Sequence, residues 1–334
     1  MDNDPINMMP LATPERRRSR WTIMICVLAA VAVMLSIKLA VGTVAPGDFK
    51  PGTVITIAPG TTLSAATDLL KANKVIGSTT LFKVYAALLG WGMTSVKSGD
   101  YLFSGPESSM RVAYRLDHGI QGFPIAKVTI PEGSDSRDMA DIIAKAIPGF
   151  DTADFLPLAK AQEGYLFPDT YFWPTNLTPK QAVDDMRAIF DQKIASIQND
   201  LAASHRTLQD EIAMASIVER EATSSADRRI VAGILWKRLD AGMALQADAS
   251  FFYVLSTSTK SLTPDDLRMK SPYNLYIHTG LPPTPIGNPG LDAIGDTLAP
   301  TKTSFWYYLA GKDGVTHYAA TLDEHNANIA KYLN

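Results

Sequence analysis

The sequence predicts an α+β protein with a single N-terminal transmembrane helix, a small α+β subdomain and a larger α+β domain. Its 334 residues are 46% hydrophobic and 19% charged, a composition typical of globular proteins. One long apolar run lies near the N terminus, and short strand and helix patterns give way to longer helical patterns after Asp151. The predicted segments are a cytoplasmic tail at 1–20, a transmembrane anchor at 21–44, a linker at 45–51, the small subdomain at 52–124 and the larger domain at 125–334.

The apolar run from Trp21 to Val44 contains a single charged residue, Lys38. A helix of about 20 such residues crosses the roughly 30 Å hydrocarbon core of a bilayer. A cleaved signal peptide is the alternative, but the run exceeds the usual apolar region of about 7–15 residues and no clean A-x-A site follows it. Arginines at 16, 17, 18 and 20 precede the run. By the positive-inside rule they keep the N terminus in the cytoplasm and place the remaining chain outside.

Two strand–turn–helix patterns open the exported part. The first has a strand at 54–57 and a helix at 63–71, and the second spans 129–149. Duplication and chance explain their likeness equally well. Between them the spacing predicts a helix at 79–89, a strand at 101–103 and a helix at 109–117.

After Asp151, helical patterns cover 178–200, 207–222 and 226–241. Two loops rich in aromatic residues and proline, 163–174 and 271–290, lie among them. A loop of about 20 residues is unusual inside a compact domain unless it is functional. Because proline stiffens the backbone, these loops predict a fixed binding surface.

Charge and motifs exclude several classes of protein. The chain has 31 basic and 34 acidic residues, of which five basic and three acidic residues lie in 1–44. Residues 45–334 therefore have a net charge of −5. This charge gives no support for nucleic-acid binding. Cys26 is the only cysteine and lies inside the apolar run, so the exported part has no disulfide. The sequence lacks G-x-S-x-G, H-E-x-x-H, a P-loop and G-x-G-x-x-G, and its five histidines have no metal-ligand spacing. We expect neither a metal nor a cofactor.

The helix at 207–222 carries one acidic residue in its apolar face. Thr207 and Asp210 are spaced for a capping box at its start. At about 100° per residue, Glu219 lies beside Ile212 in the apolar face, whereas Glu221 lies on a face that can be solvated. Burial raises the pKa of a carboxylic acid, and an acid that holds its proton near neutral pH can act as a general acid.

Spacing alone favours a structural role for Glu219, in which Arg228, Arg229 or Arg238 neutralises its charge. The loops that follow favour a functional role, because aromatic faces stack on sugar rings and amides hydrogen-bond to hydroxyls. The candidate substrate-binding residues there are Gln246, Asp248, Tyr253, Tyr273, Asn274, Tyr276 and Asn288. Taken singly, each is better explained by packing or turn formation.

Glycoside hydrolysis normally needs two carboxylates. Asp169, Asp248 and Glu163 are candidates for the second, and spacing singles out none of them. If Glu219 acts alone, the chemistry must avoid a water activated by a carboxylate, and attack by a hydroxyl of the substrate itself satisfies that condition.

Five blocks of the sequence resemble the MltG-type (YceG-like) endolytic murein transglycosylases, in the order in which that family has them. They are EGYLFPDTY at 163–171, ASIVERE at 215–221, RLDAGMALQADASFFY at 238–253, SPYN with LPPTPIGNPG at 271–290, and EHN at 324–326. The first block adds Glu163 and Tyr165 to the candidate substrate-binding residues. Departures from the family pattern at Ala249, Leu275 and Thr284 stand next to polar positions and concern subsite preference more than activity.

The resemblance implies that Glu219 is the catalytic acid and then the base of a peptidoglycan lytic transglycosylase. Such an enzyme cleaves the β-1,4 bond from N-acetylmuramic acid to N-acetylglucosamine within a glycan strand. The muramoyl 6-hydroxyl attacks its own anomeric carbon and leaves a 1,6-anhydro end.

The resemblance also implies a LysM-like subdomain at 52–124, a YceG-like catalytic domain at 125–334 and attachment to the inner membrane through 21–44, with the catalytic domain in the periplasm. Peptidoglycan synthases are the implied partners, beside which the enzyme would end strand elongation. Two alternatives stay open: an inactive, membrane-anchored peptidoglycan-binding scaffold, and a glycosidase with two carboxylates.

Overall fold

A computed structural model describes residues 15–42, 44–88, 96–255 and 262–333. The chain divides between Phe123 and Pro124 into two units. Helices and two-stranded antiparallel sheets make up the described residues, which confirms the α+β class.

The first unit contains α1 and a small α+β core. Its elements are α1 (Glu15–Gly42), β1 (Thr53–Ile57), α2 (Leu63–Ala72), α3 (Thr79–Leu88), β2 (Gly99–Phe103) and α4 (Ser109–His118). β1 pairs antiparallel with β2, with Thr53 opposite Phe103. Alternate residues of both strands, such as Ile57 and Tyr101, point into a core that α2, α3 and α4 complete. The strands and helices predicted between residues 54 and 117 are confirmed, except that residue 89 lies outside the described residues.

α1 covers most of the segment predicted as an anchor. None of the helices in the described ranges combines the length and the apolar character that crossing a membrane requires. The anchor and the cytoplasmic tail stay predictions, and residues 1–14 of that tail lie outside the described residues.

The second unit is built around helices with two small two-stranded sheets. Its elements are β3 (Ile125–Thr129), α5 (Ser136–Ala146), α6 (Thr152–Lys160), β4 (Thr170–Pro174), α7 (Pro179–Ser196), α8 (Gln198–Ser204), α9 (Leu208–Glu221), α10 (Ser225–Asp240), α11 (Ala249–Leu255), a 3-10 turn (Asp266–Arg268), α12 (Leu291–Leu298), β5 (Tyr307–Ala310), β6 (Thr316–Ala319) and α13 (Leu322–Tyr332). β3 pairs with β4 and β5 with β6, both antiparallel.

One predicted helix, at 178–200, is wrong because the helical backbone breaks at Ile197, where φ is −117° and ψ is 19°. α7 ends before this residue and α8 begins after it. The other two long helices are confirmed within two residues at each end.

α9 is the central helix of the second unit, and α10 and α12 pack against it. Every residue from Glu211 to Val218 is buried, so this helix is covered on more sides than an amphipathic stripe predicts. Thr207 caps its start by accepting a 3.1 Å hydrogen bond from the Asp210 N–H. The Thr207 hydroxyl, rather than its N–H, donates to the Asp210 carboxylate at 2.7 Å, so the pair caps the helix in a form different from the predicted capping box.

Candidate active site

Glu219 lies in the last turn of α9, where the side chain is only 8% exposed. Its Oε2 accepts a 2.9 Å hydrogen bond from the backbone N–H of Gly290, the residue that precedes α12. Its Oε1 lies 3.3 Å from Nη1 of Arg228 on α10. Three helices therefore place the two oxygens of this carboxylate.

Arg228 divides its charge between two carboxylates. Its Nε donates to Oδ2 of Asp296 at 3.0 Å, a shorter contact than the one with Glu219. Asp296 is buried and also accepts from Arg229 and Ser225. Of the three arginines considered as neutralising partners, only Arg228 forms an ion pair with Glu219. Arg229 pairs with Asp296, and Arg238 donates to the carbonyls of Trp306 and Leu245.

The surroundings raise the pKa of Glu219 above its ordinary value. Burial has the largest effect, and the negative charges of Glu132 and Asp292 act in the same direction. The Gly290 hydrogen bond and Arg228 lower the pKa, but only in part. The carboxyl group thus holds a proton to higher pH than a solvated glutamate, and its ionised form still has an N–H donor and a cation beside it.

Glu132 is a residue near the site that the sequence reasoning missed. A Cβ on Gly290 would lie 2.0 Å from Oε1 of Glu132, so this carboxylate rests against the residue that donates to Glu219. The next residue, Gly133, has φ +76°, and a Cβ there would lie 3.3 Å from Cγ of Glu219. The signal was present in the sequence, because Glu132 and Gly133 form the turn of the second strand–turn–helix pattern.

Two loops meet at this turn through their backbones. The Gly133 N–H donates to the Asn288 carbonyl at 2.8 Å, and the Asn288 N–H donates to the Ser134 carbonyl at 2.9 Å. A Cβ on Gly287 would lie 2.6 Å from the Gly133 carbonyl oxygen, so this pairing needs glycine at that position. The pairing fixes the chain segment that leads to Gly290.

Asn288 is fully buried, and its side-chain amide makes all of its hydrogen bonds within the protein. Oδ1 accepts from the N–H groups of Gly164 and Leu166, both at 2.9 Å. Nδ2 donates to the Ser134 carbonyl and to Oε1 of Glu163, both at 3.0 Å. An amide has two donors and two acceptor sites, so these four bonds leave none for a sugar, and the structure gives Asn288 a structural position.

Glu163 is buried in the same network. Its Oε2 accepts from the Ser136 hydroxyl at 2.7 Å and from the Tyr253 hydroxyl at 3.2 Å. Burial raises its pKa, although the Ser136 hydrogen bond opposes the shift. Lys160 contacts the Tyr253 hydroxyl, and the Tyr253 ring lies 5.3 Å from that of Tyr273. Glu163 therefore links the loop 163–174 both to Asn288 in the loop 271–290 and to Tyr253 on α11.

Asn274, Tyr276, Asp248 and Gln246 are further candidates from the sequence, in or next to the same core cluster as Tyr253 and Tyr273. Asn274 is buried, with Nδ2 donating to the carbonyls of Leu267 and Met269, both at 2.9 Å. The Tyr276 hydroxyl donates to Asp248 at 2.6 Å. Asp248 is exposed, as is Gln246, whose φ of 54° lies in the left-handed region.

Tyr165 packs against Phe190, with ring centroids 5.2 Å apart, in a separate apolar cluster. Asp169 is exposed, and its side chain accepts a hydrogen bond from the Thr170 N–H at 2.7 Å. Among the predicted residues, direct contacts thus join Glu163 to Asn288 and Tyr253, Tyr253 to Tyr273, and Asp248 to Tyr276.

The expectation that Glu221 lies on a solvated face is wrong. Its Oε1 accepts from the Ala249 N–H at 3.3 Å and its Oε2 from the Tyr308 hydroxyl at 3.1 Å. Burial raises the pKa of Glu221 to about 7, and the charge of Asp248 adds to this. Strand β5, nearly 90 residues away in sequence, covers this side of α9.

In the described residues, no group of three or more His, Cys, Asp and Glu side chains is placed to hold a metal ion. The arrangement around Glu219 offers a proton donor with a raised pKa, an N–H donor to its ionised form and a nearby cation. Those are the parts required for general acid and base catalysis.

Comparison with known proteins gives consistent matches. The model of the YceG-like family matches residues 55–331. An endolytic murein transglycosylase of Bacillus subtilis is 29% identical over 316 residues, which cover 86% of each chain. An endolytic murein transglycosylase of Streptococcus pneumoniae is 33% identical over 178 residues, 52% of this chain and 32% of the relative. The crystal structure of a YceG-like protein from Listeria monocytogenes has 30% identity and a TM-score of 0.56, and the match covers 83% of this chain and 99% of that one.

Proposed function

The chain belongs to the YceG-like family and is a lytic transglycosylase, and on that premise we propose that it cleaves the bond from N-acetylmuramic acid to N-acetylglucosamine within peptidoglycan strands. Glu219 is the catalytic residue in this proposal. The products are a strand with a 1,6-anhydro-muramoyl end and a strand with a free N-acetylglucosamine 4-hydroxyl.

The reaction proceeds through one carboxyl group in two states. Protonated Glu219 gives its proton to the glycosidic oxygen as the bond from that oxygen to the muramoyl anomeric carbon breaks. Ionised Glu219 then takes the proton of the muramoyl 6-hydroxyl as its oxygen bonds to the anomeric carbon. The proton count balances without water, and Glu219 is protonated again at the end.

The observation that carries this proposal is the position of Glu219 itself. Burial and nearby carboxylates favour its protonated form, whereas the Gly290 N–H and Arg228 face its two oxygens and stabilise the ionised form. A group that must act as acid and then as base needs both states to be accessible near the working pH.

Digestion of purified sacculi tests the proposal. The wild-type chain is expected to release fragments with anhydro-muramoyl ends, identified by mass, and Glu219→Gln is expected to reduce their rate of formation by about 10²-fold or more. Glu221→Gln is the matched control, because it makes the same change two residues later on α9, outside the contacts of Glu219. Full activity of Glu219→Gln would contradict the proposal.

One observation supports the alternative of a glycosidase with two carboxylates: the carboxylate of Glu132 lies beside Gly290. If Glu132 activated a water, the products would carry reducing muramoyl ends, two hydrogens and one oxygen heavier than anhydro ends. The same mass measurement separates the two reactions. Binding to sacculi without any product would favour the scaffold alternative.

We further propose that residues 21–44 anchor the protein in the inner membrane with the second unit in the periplasm, where it works beside peptidoglycan synthases. The support is the apolar run with its flanking arginines and the exposure of apolar side chains in α1, such as Trp21, Ile25 and Leu28. The chain is expected to stay with membranes after alkaline extraction, and a chain that starts after residue 44 is expected to lose this association. Release of the full chain by alkali would contradict the anchor.

A further inference from the structure

Glu219, Arg228 and Asp296 form a row of three buried ionisable side chains that joins α9, α10 and α12. These side chains are 8%, 10% and 4% exposed. Arg228 lies in the middle, with Nη1 at 3.3 Å from Oε1 of Glu219 and Nε at 3.0 Å from Oδ2 of Asp296. The two contacts use different nitrogens of one planar guanidinium group, so the bond to Asp296 restricts how Arg228 can face Glu219.

Asp296 keeps its negative charge although it is buried. Its Oδ1 accepts from the Ser225 hydroxyl at 2.7 Å and from Nε of Arg229 at 2.9 Å, and its Oδ2 accepts from Arg228. Burial raises its pKa, but the hydrogen bonds from these three residues outweigh burial and hold the pKa below its ordinary value. Asp296 is therefore ionised at neutral pH and balances the charge of Arg228.

This negative charge determines how strongly Arg228 attracts a charge on Glu219. When Glu219 is protonated, Arg228 and Asp296 form a neutral buried pair. Without the charge of Asp296, Glu219 would be the carboxylate left in contact with Arg228 among the described residues. A buried cation without an ionised partner is unfavourable, so the ionised form of Glu219 would then be favoured. The acid would have lost the proton with which the proposed reaction begins.

The other charged groups that act on Glu219 are less shielded from water. Burial raises its pKa most, Glu132 in the turn before α5 and Asp292 on α12 add to this, and Arg228 on α10 opposes it. Helix α11, which also packs against α9, carries no charged residue. Glu132 and Asp292 are exposed, so solvent screens their charges. Asp296 is buried and contacts the cation directly, which gives it the stronger control over the effect of Arg228.

We propose that Asp296 is a positioning residue of this site, which holds the charge of Arg228 away from Glu219 and so keeps the acid form of Glu219 available. The inference takes the role of Glu219 from the proposed function. An Asp296 with a purely structural role would tie α10 to α12, and its loss would lower the free energy of unfolding without changing the titration of Glu219.

Carbon-13 NMR of the full chain in detergent micelles, with labelled glutamate carboxyl groups, measures the pKa of Glu219 without any substrate. The Glu219 signal is the one that disappears in Glu219→Gln. In Asp296→Asn the amide oxygen can still accept from Arg228 and the amide nitrogen can donate to the Ser225 hydroxyl, so the charge is lost while the shape is kept. We expect the pKa of Glu219 to fall by about one pH unit in this variant.

Two further variants complete the test. Asp240→Asn removes the carboxylate of another ion pair, at the last residue of α10, and is expected to leave the pKa of Glu219 unchanged. Arg229→Gln removes an exposed side chain that shares Asp296, so more of the Asp296 charge acts on Arg228 and the pKa of Glu219 is expected to rise. This opposite shift decides the matter even if Asp296→Asn fails to fold, which near-ultraviolet circular dichroism detects.

The rate of product release from sacculi gives a second readout. Because protonated Glu219 starts the proposed reaction, the alkaline limb of the rate is expected to move to lower pH in Asp296→Asn. If the wild-type chain released no anhydro-muramoyl ends, the proposed function would fail, whereas the NMR titration would still show whether Asp296 controls Glu219. An unchanged pKa of Glu219 in folded Asp296→Asn, or a pKa that does not rise in Arg229→Gln, would overturn the positioning role.

Discussion

The backbone N–H of Gly290 donates a 2.9 Å hydrogen bond to Oε2 of Glu219. This bond joins the end of α9 to the start of α12, and it places a donor on the oxygen that becomes charged when the acid gives up its proton. Gly290 follows the backbone pairing of Asn288 with Gly133 and Ser134, so a buried structural network sets the position of a contact with the proposed catalytic residue.

Two glycines in this loop are expected to respond differently to alanine. Gly290 has φ −72°, which alanine adopts easily, and the three atoms nearest to its added Cβ all belong to the exposed Glu132 side chain. We expect Gly290→Ala to lose under about 1 kcal/mol of unfolding free energy. Gly287→Ala would press a Cβ against the Gly133 carbonyl oxygen and is expected to cost about 2–3 kcal/mol. Thermal unfolding of both variants measures this, and equal losses would show that the loop pairing is not rigid.

Glu132 is expected to act on the pH profile through Glu219. Its negative charge raises the pKa of Glu219, so Glu132→Gln lowers that pKa. Because the proposed reaction begins with protonated Glu219, the alkaline limb of the rate is expected to move to lower pH. Asp141→Asn, which removes an exposed carboxylate on α5, is the control and should leave the profile in place. An unchanged alkaline limb in Glu132→Gln, or loss of all activity at every pH, would contradict a tuning role.

The helical period was enough to predict that Glu219 lies in a buried face of α9, because a residue's place on a helix depends only on its neighbours in the chain. The helical period did not predict the surroundings of Glu221, because the Tyr308 hydroxyl that donates to its carboxylate lies on a hairpin 87 residues away. The sequence also could not show which partners the loop amides have in the fold. Asn288 resembles a sugar-binding amide in sequence, but its four partners lie more than 120 positions away and are brought to it only by the folded loops.

Replacing Asn288 is expected to lower the free energy of unfolding, rather than to remove a direct contact with substrate. Asn288→Ala removes four buried hydrogen bonds and leaves the Gly164 and Leu166 N–H groups and one oxygen of Glu163 without their partner. We expect a loss of about 3–5 kcal/mol of unfolding free energy, measured by denaturant titration. Asn274→Ala, which also removes a buried loop amide, is a useful comparison away from Glu163. A stable Asn288→Ala with weakened substrate binding would instead favour a direct contact with glycan.

Glu221 is expected to make the fold less stable as the pH rises toward neutrality. Its pKa is raised from the ordinary value of 4.5 to about 7, chiefly by burial and then by Asp248, against the Ala249 N–H, the Tyr308 hydroxyl and Arg220. A carboxyl group whose pKa is higher in the folded state contributes its full stabilisation below pH 4.5 and loses it as the pH rises through about 7. The free energy of unfolding is therefore expected to fall across this window by up to about 3 kcal/mol.

Glu211, with a pKa also raised to about 7, adds a second contribution of the same sign. Denaturant titrations between pH 5 and 7.5 should give a shallower slope for Glu221→Gln than for the wild-type chain, and a still shallower one when Glu211→Gln is added. A wild-type slope in the double variant would mean that neither carboxyl group changes its pKa on folding.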